Sequence, residues 1–392
     1  MRFNWTNQYS ILLLCWFGWV LIYLCRSILP PLLPILAKEF NMSHAESGML
    51  ETLYLAGYIL VKIPAGIMVN KLGTRKTLVI GIVGYALSTL LNFFATNLFH
   101  ISLLRFLLGF FQGIHLPIAN MLLSEKFGKM QGKAIGFHES GPNVGNTIAL
   151  PLTIFIISIW NWRFAFLLIS LPAFLLAIFM YITLEDEKYN DERNGNLQIR
   201  CNRDVKLRSF LFLLFPLALA HSIYNLCLRT LFTFIPSYLV EFRGFDFWLA
   251  GWTASLLPAT GIFAKMSSGY FSELIGDRNA IFLSILISGL MLFTLTIVYD
   301  LNLTYLVLII IGLSLYAYSP IIYSSVTKSL PTELKSLGLG VVTMIGNIVG
   351  AFSTYLAGFL IDFQGYVSAL RIISIITLFS SLIFYISMRK TN

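Results

Sequence analysis

Apolar runs of about 20 residues recur along nearly the whole chain, and few folds can hold such a pattern. Each run has the length needed to cross a bilayer core. With no water in that core, backbone N–H and C=O groups must bond within the segment, so each run reads as a helix. Barrel strands would give much weaker apolar signals. Composition agrees: 57% of the 392 residues are hydrophobic and 11% are charged, which excludes an ordinary soluble domain. The first run, 11–36, is too long for a signal-peptide core and no small-residue cleavage site follows it, so no cleaved leader is expected. The cysteines Cys15, Cys25, Cys201 and Cys227 are scattered and mark neither a disulfide framework nor a metal site.

Twelve spans are predicted, at about 11–36, 47–69, 77–95, 98–123, 134–159, 164–184, 209–240, 248–272, 280–299, 303–327, 337–361 and 367–388. The longest polar stretch, 185–208, carries both signs of charge and an Asn-Gly pair and reads as a linker. The expected fold is therefore an all-α integral membrane protein with a six-helix half over 1–184, a cytoplasmic linker over 185–208 and a second six-helix half over 209–392. With the N-terminus inside, eighteen of the lysines and arginines outside the spans fall on the inner side and three, Lys38, Arg163 and Arg243, on the outer side. The positive-inside rule then places both termini in the cytoplasm. The net charge of +9 is thus a matter of topology rather than of nucleic-acid binding.

Shifting the chain by 203 residues overlays the halves. Gly48 falls on Gly251, Gly66 on Gly269, Gly73 on Gly276 and Arg75 on Arg278. Parallel six-helix repeats are a transporter plan with the binding site near the midplane. Six cations lie inside spans: Arg26, Lys62, Arg105, Arg229, Lys265 and Arg371. Each costs roughly 2.5–3.5 kcal/mol at mid-span, so an intramembrane cation is read first as functional. Arg229 is Arg26 shifted by 203, and Lys265 is Lys62 shifted by 203. No acidic partner for Arg26 or Arg229 is evident, since the carboxylates clearly inside spans are Glu51, placed near an outer end, and Glu139. An anionic substrate is the natural counter-charge, gripped by the arginine fork and by the point charge of lysine. For Lys62 and Lys265, snorkelling to the inner interface competes with ligand binding. Arg105 reads as structural or coupling, and Arg371 as interfacial. Tyr23, Tyr224, Asn143 and Asn347 are candidate hydrogen-bond donors to substrate, with packing as the plain alternative. His138 and Glu139 in span 5 are candidates for proton coupling, Glu139 competing with a structural carboxylate. His115 and His221 read as satisfied polar residues.

Several motifs resemble the major facilitator superfamily. Gly66-xxx-Asn70-Lys71-x-Gly73-x-Arg75-Lys76 is similar to its loop 2–3 signature, with Asn70 where Asp is usual. Arg105 with Gly109 resembles the fourth-helix signature, Gly141-Pro142 that of the fifth, and WNWRFAF from Trp160 the turn before the sixth. The resemblance implies alternating access by a rocking of two halves around a central site. It also implies a conformational latch at Gly66, Asn70, Gly73, Arg75 and Lys76, the two glycines permitting close approach and a tight turn. IYLCRSILPPLLPILAKEF around Arg26 and RTLFTFIPSYLVEF from Arg229 are similar to helices 1 and 7 of organophosphate–phosphate antiporters and organic anion symporters. In the antiporters the two arginines clamp phosphate, which implies equivalent roles here. Lys62 and Lys265 stand where nitrate porters carry anion-binding arginines, although the nitrate signature and the antiporters' helix 5 histidine are absent. The expectation is a secondary transporter of a small anion in the inner membrane, by proton symport or exchange against a counter-anion, and a monomer without cofactor, metal or enzymatic activity. The alternative is a multidrug or other small-molecule exporter of the same superfamily, which predicts cavity acids and aromatics rather than paired arginines.

Overall fold

The structure, a computed structural model, describes residues 7–185, 207–331 and 334–388. The predicted linker 185–208 lies outside the described residues except for its first residue and last two, as do Arg2, Arg389 and Lys390. All regular elements among the described residues are helices. Among the described residues, nine stretches, and a tenth formed by a bent pair of helices, are long and apolar enough to cross a bilayer. Two of the nine, Leu98–Ile159 and Leu337–Ser387, contain 62 and 51 residues. At 1.5 Å per residue these reach about 75–95 Å, enough for two crossings of a core about 30 Å thick, which agrees with twelve spans. The chain falls into two units, Met1–Met42 with Leu50–Gln198, and Ser43–Met49 with Ile199–Asn392.

Unit 1 is built from α1 (Asn7–Arg26), α2 (Leu29–Phe40), most of α3 (His44–Leu60), α4 (Lys62–Leu72), α5 (Thr74–Leu91), α6 (Leu98–Gln112), α7 (His115–Phe127), α8 (Gln131–His138), α9 (Gly141–Ile159) and α10 (Trp162–Thr183). Four predicted spans are thus each two helices. Proline lacks an N–H and crowds the carbonyl four residues back. Pro30, Pro64, Pro117 and Pro142 follow Arg26, Leu60, Gly113 and His138 by four, and the helix breaks within a residue of each of those positions. Pro34, Pro151 and Pro172 are accommodated inside continuous helices. The helix α1 packs on α9 and α10, and α5 on α6 and α10. The approach of α3 to α6 is closer still. A Cβ at Gly109 would overlap the Tyr54 carbonyl, and one at Gly57 the Phe106 carbonyl. Large apolar side chains such as Phe99, Phe179 and Ile182 stay exposed, as a lipid-facing surface requires.

Unit 2 contains α11 (Leu207–Ser237), α12 (Phe247–Ile275), α13 (Asp277–Leu295), α14 (Leu301–Lys328) and α15 (Lys335–Ser387). Asp246 and Asp300 cap α12 and α14, accepting from the backbone N–H of Leu249 at 2.8 Å and of Leu303 at 2.9 Å. Gly365, at φ 78°, interrupts α15 between predicted spans 11 and 12. The segment Ser43–Met49 packs with this unit. The backbone N–H groups of His44 and Ala45 both donate to the Asp362 carboxylate at 2.8 Å. His44 sets Nδ1 2.7 Å from Asp362 Oδ1 and Nε2 2.9 Å from Glu241 Oε2, which also accepts from the Tyr366 hydroxyl at 2.8 Å. Nothing in the sequence pattern draws attention to this cluster, because its members stand up to 318 residues apart.

The 203-residue repeat is visible in the backbone. Gly73 (φ 86°) and Gly276 (φ 81°) turn the chain in the conformation that glycine favours. The arginines two residues on are held alike, Arg75 4.9 Å from the Tyr181 ring centroid and Arg278 4.0 Å from that of Tyr385. Arg278 also donates to the Tyr385 carbonyl at 2.6 Å, near the end of α15. The expectation of close approach at Gly66 is corrected: a Cβ there would meet nothing within 4 Å.

The glycines separate cleanly in a test. Gly109→Ala should cost about 1–3 kcal/mol through overpacking against backbone and lower the yield of monodisperse protein, whereas Gly66→Ala should leave the melting temperature unchanged. Equal melting temperatures for the two variants would contradict the packing of α3 on α6.

Candidate functional site

The polar centre of unit 1 starts from a proline. Pro30 cannot donate to the Arg26 carbonyl, so that oxygen needs another partner. Arg105, 1% exposed on α6, supplies it through Nη1 at 3.0 Å. Its Nε and Nη2 have no hydrogen-bond partner among the described residues. Gln112, one helical turn and three residues further along α6, donates to the Ile22 carbonyl at 3.0 Å and fastens α6 to α1. Arg105 is thereby a fixed charge behind Arg26.

The Arg26 side chain itself is buried and donates through Nη2 to Glu51 Oε1. Its guanidinium lies 4.5 Å from the Tyr54 ring centroid and 5.5 Å from that of Tyr23. The reading of Arg26 as lacking an acidic partner is therefore corrected. Glu51 is buried, 7% exposed, one helical turn before Tyr54 on α3. The sequence could not show this, because which face Glu51 presents depends on the Gly57 and Gly109 contacts that set α3 against α6. The counterpart of Glu51 in the repeat is Ala254, so the pairing is not a feature that duplication explains.

The other predicted residues sort by surroundings. Lys62 is exposed, with Nζ 5.3 Å from the Tyr58 ring centroid, and Lys265 is half-buried, with Nζ 5.9 Å from that of Tyr316. Arg229 is half-buried on α11. Tyr224 belongs to an aromatic stack, 4.6 Å from Tyr318 and 5.7 Å from His221. Asn143 is buried and Asn347 half-buried. A neighbour of Asn143, Asn146, accepts from Ser27 at 2.6 Å. His138 is buried, stacked on Trp19, with Nε2 3.4 Å from His115 Nε2. His115 Nε2 in turn lies 3.1 Å from the Cys15 carbonyl. Reading His115 and His221 as fully satisfied holds only in part, since the Nδ1 atoms of His115, His138 and His221 meet no hydrogen-bond partner among the described residues. Glu139 lies 4.0 Å from His138 Nδ1, yet its side chain is 45% exposed, against 10% for Glu51. The enclosed carboxylate of unit 1 is therefore Glu51 rather than Glu139. Arg371 donates to Thr296 Oγ1 at 3.1 Å. Trp162 and Arg163 of the aromatic-Arg turn both donate to Glu39, at 2.5 and 3.0 Å, anchoring the end of α2. Asn70 and Lys76 are exposed, and Arg75 is half-buried.

The sequence profile of the Major Facilitator Superfamily matches residues 15–354. The chain belongs to this family. Superfamily relatives include a D-galactonate transporter of Escherichia coli, 23% identical over 96% of this chain and 94% of its own length. A probable galactarate/D-glucarate transporter of Escherichia coli is 22% identical over 91% and 88%, and a hexuronate transporter of Bacillus subtilis is 22% identical over 70% and 66%. Among solved structures, a bacterial homolog of the human lysosomal transporter Spinster superposes with a TM-score of 0.84 at 15% identity, covering 98% of each chain. A D-xylose–proton symporter superposes with a TM-score of 0.81 at 15% identity, covering 97% of each. As a member of the superfamily the protein is a multi-pass membrane transporter and not an enzyme.

A buried ion pair gives a distinctive stability pattern. Removing one partner strands the other charge, at about 3–5 kcal/mol, while removing both for apolar groups of similar volume is close to neutral. Arg26→Met and Glu51→Leu should each lower the melting temperature of the detergent-solubilised protein, and the double variant should recover most of the loss. Strict additivity in that cycle would show that the two side chains are not energetically coupled.

Proposed function

We propose that the chain is a secondary active transporter of small organic carboxylates, driven by proton symport, with Arg26 as the principal anion contact of unit 1. The observation that supports it is a second buried guanidinium, Arg105, fixed behind Arg26, so that the buried cluster of Arg26, Arg105 and Glu51 holds one more cation than carboxylate. A net charge inside a membrane-spanning bundle is costly, and an arriving anion offsets it. The planar Arg26 fork suits a carboxylate, and the Tyr23 and Tyr54 rings form apolar walls beside it. The names of the relatives point the same way, toward sugar acids and related carboxylates. The same reading extends to Arg229 and Lys265 of unit 2 and to Lys62, the cations that the repeat relates.

The chain would work as a monomer in the cell membrane with both termini in the cytoplasm and residues 185–208 as a cytoplasmic linker, a topology that the lysine and arginine asymmetry supports. The Gly73 turn, with Arg75 on the Tyr181 ring, would serve as the conformational latch together with Asn70 and Lys76.

The test is a thermal-shift and binding screen of the purified protein against D-galactonate, D-glucuronate, D-glucarate, nicotinate and phosphate. A ligand at a hundred times its Kd stabilises the folded state by about 2.7 kcal/mol. At least one carboxylate should bind, and Arg26→Lys should weaken it roughly a hundredfold, because an ammonium cannot form the two-bond planar contact. Binding by wild type and Arg26→Lys with equal affinity would remove Arg26 from the site, and a screen in which only hydrophobic cations bind would overturn the anion reading.

A further inference from the structure

The histidine cluster of unit 2 has a chemistry of its own, separate from any substrate. We propose that His44 is a proton-dependent clasp, which when charged ties Glu241 to Asp362 and when neutral keeps Asp362 and lets Glu241 go.

A neutral imidazole has one N–H and one lone pair. His44 meets a carboxylate at each ring nitrogen, Asp362 Oδ1 at 2.7 Å from Nδ1 and Glu241 Oε2 at 2.9 Å from Nε2. Both contacts are hydrogen bonds only when both nitrogens carry protons, so the geometry is that of the imidazolium. The Glu241 hydrogen bond favours the charged form, partial burial opposes it and Asp362 adds to it, so His44 keeps its proton to a higher pH than an ordinary histidine. His44 stands ahead of predicted span 47–69, Glu241 just after 209–240, and Asp362 with Tyr366 between 337–361 and 367–388. The side chains of His44, Glu241 and Asp362 are 29%, 31% and 29% exposed, so water can deliver and remove the proton.

The two arms differ in what remains when one proton leaves. Asp362 accepts the backbone N–H groups of both His44 and Ala45 at 2.8 Å, as a cap on the first turn of α3. That turn is seated on α15 at backbone distance: a Cβ at Gly358 would overlap the His44 carbonyl, and one at Gly48 the Thr354 carbonyl. Nδ1 is therefore held at Asp362 by the chain itself, and the remaining proton stays there. Nε2 then turns a lone pair toward Glu241 Oε2, and attraction becomes repulsion. The Tyr366 hydroxyl, donating to the same oxygen at 2.8 Å, is the tie that Glu241 keeps within the cluster. Glu241 belongs to the π turn Tyr238–Phe242 that follows α11, an irregular element of the kind that marks places of movement. The other charges nearby are engaged elsewhere. Glu46 accepts from the Ser43 N–H at 2.9 Å, and Arg243 donates to the Val298 carbonyl and to the Tyr238 and Thr304 hydroxyls.

The sign follows. The bridge is a stabilisation of charged His44, so it is complete at acid pH and is lost as pH rises through the titration of His44 in the folded protein. With the N-terminus inside, as proposed above, the clasp stands on the outer face and senses the pH outside the cell. Its proton is bound and released on that one face, and no transported proton is involved.

Two measurements on the full chain in lipid nanodiscs test this. In 15N NMR of the histidine side chains, with His44→Asn identifying the resonance, His44 should carry two protons at about pH 6 and one, on Nδ1, at about pH 9, either side of the usual histidine range. In Glu241→Gln it should titrate at lower pH. Spin labels on Phe242→Cys and Phe363→Cys, both exposed, in a chain without its four native cysteines, should give a narrow distance at the lower pH and a longer, broader one at the higher. Glu241→Gln should abolish that change, because an amide can accept from the charged ring and donate to the neutral one. A His44 that is neutral at about pH 6 or still charged at about pH 9, a neutral ring with its proton on Nε2, or a distance that stays the same while His44 titrates overturns the clasp. None of these readouts involves a substrate, so the anion reading stands or falls separately.

Discussion

A carbonyl that a proline strands inside a membrane has to find another donor, and at Arg26 that donor is Arg105. Much of the polar centre of unit 1 follows from this bond. It fixes a guanidinium that could otherwise swing, sets α6 against α1 and leaves the Arg26 side chain free to reach across to α3. In water the stranded carbonyl would simply be hydrated. In hydrocarbon an unmet backbone group costs several kcal/mol, so the break and its repair come as one unit.

The sequence reveals what repeats at short range or at a fixed offset. Spans are legible because a 20-residue apolar run has one solution in a bilayer. The repeat is legible because Gly73 and Gly276 keep their left-handed turns, and Arg75 and Arg278 their tyrosine partners, 203 residues apart. The unusual price of an intramembrane cation marks Arg26 and Arg105 before any coordinates are known. What cannot be read is rotation about a helix axis. Glu51 and Glu139 look alike as isolated acids in apolar runs, yet one is enclosed and paired and the other half exposed. The difference lies in Gly57 and Gly109, which let α3 and α6 touch at backbone distance and so turn Glu51 inward. The His44 cluster was hidden for a related reason, since contacts between residues hundreds of positions apart leave no periodic trace.

Charge placement divides labour within unit 1. Arg105 spends its hydrogen bond on backbone and contributes mainly a field. Arg26 donates instead to the Glu51 side chain. On the anion reading proposed above, a fixed charge behind a paired one would attract an anion without holding it permanently.

The proline breaks also set the mechanics of each unit taken alone. Four spans of unit 1 are interrupted near Arg26, Leu60, Gly113 and His138, whereas α12 and α14 of unit 2 run 29 and 28 residues without interruption despite Pro258 and Pro320. A break removes the hydrogen bond that resists bending at that point, so unit 1 is a set of jointed rods and unit 2 a set of stiffer ones. Deuterium should therefore enter unit 1 at mid-membrane amides beside the joints, at depths where unbroken helices of unit 2 stay protected, and internal deformation should concentrate in the half that holds the Arg26–Glu51 pair.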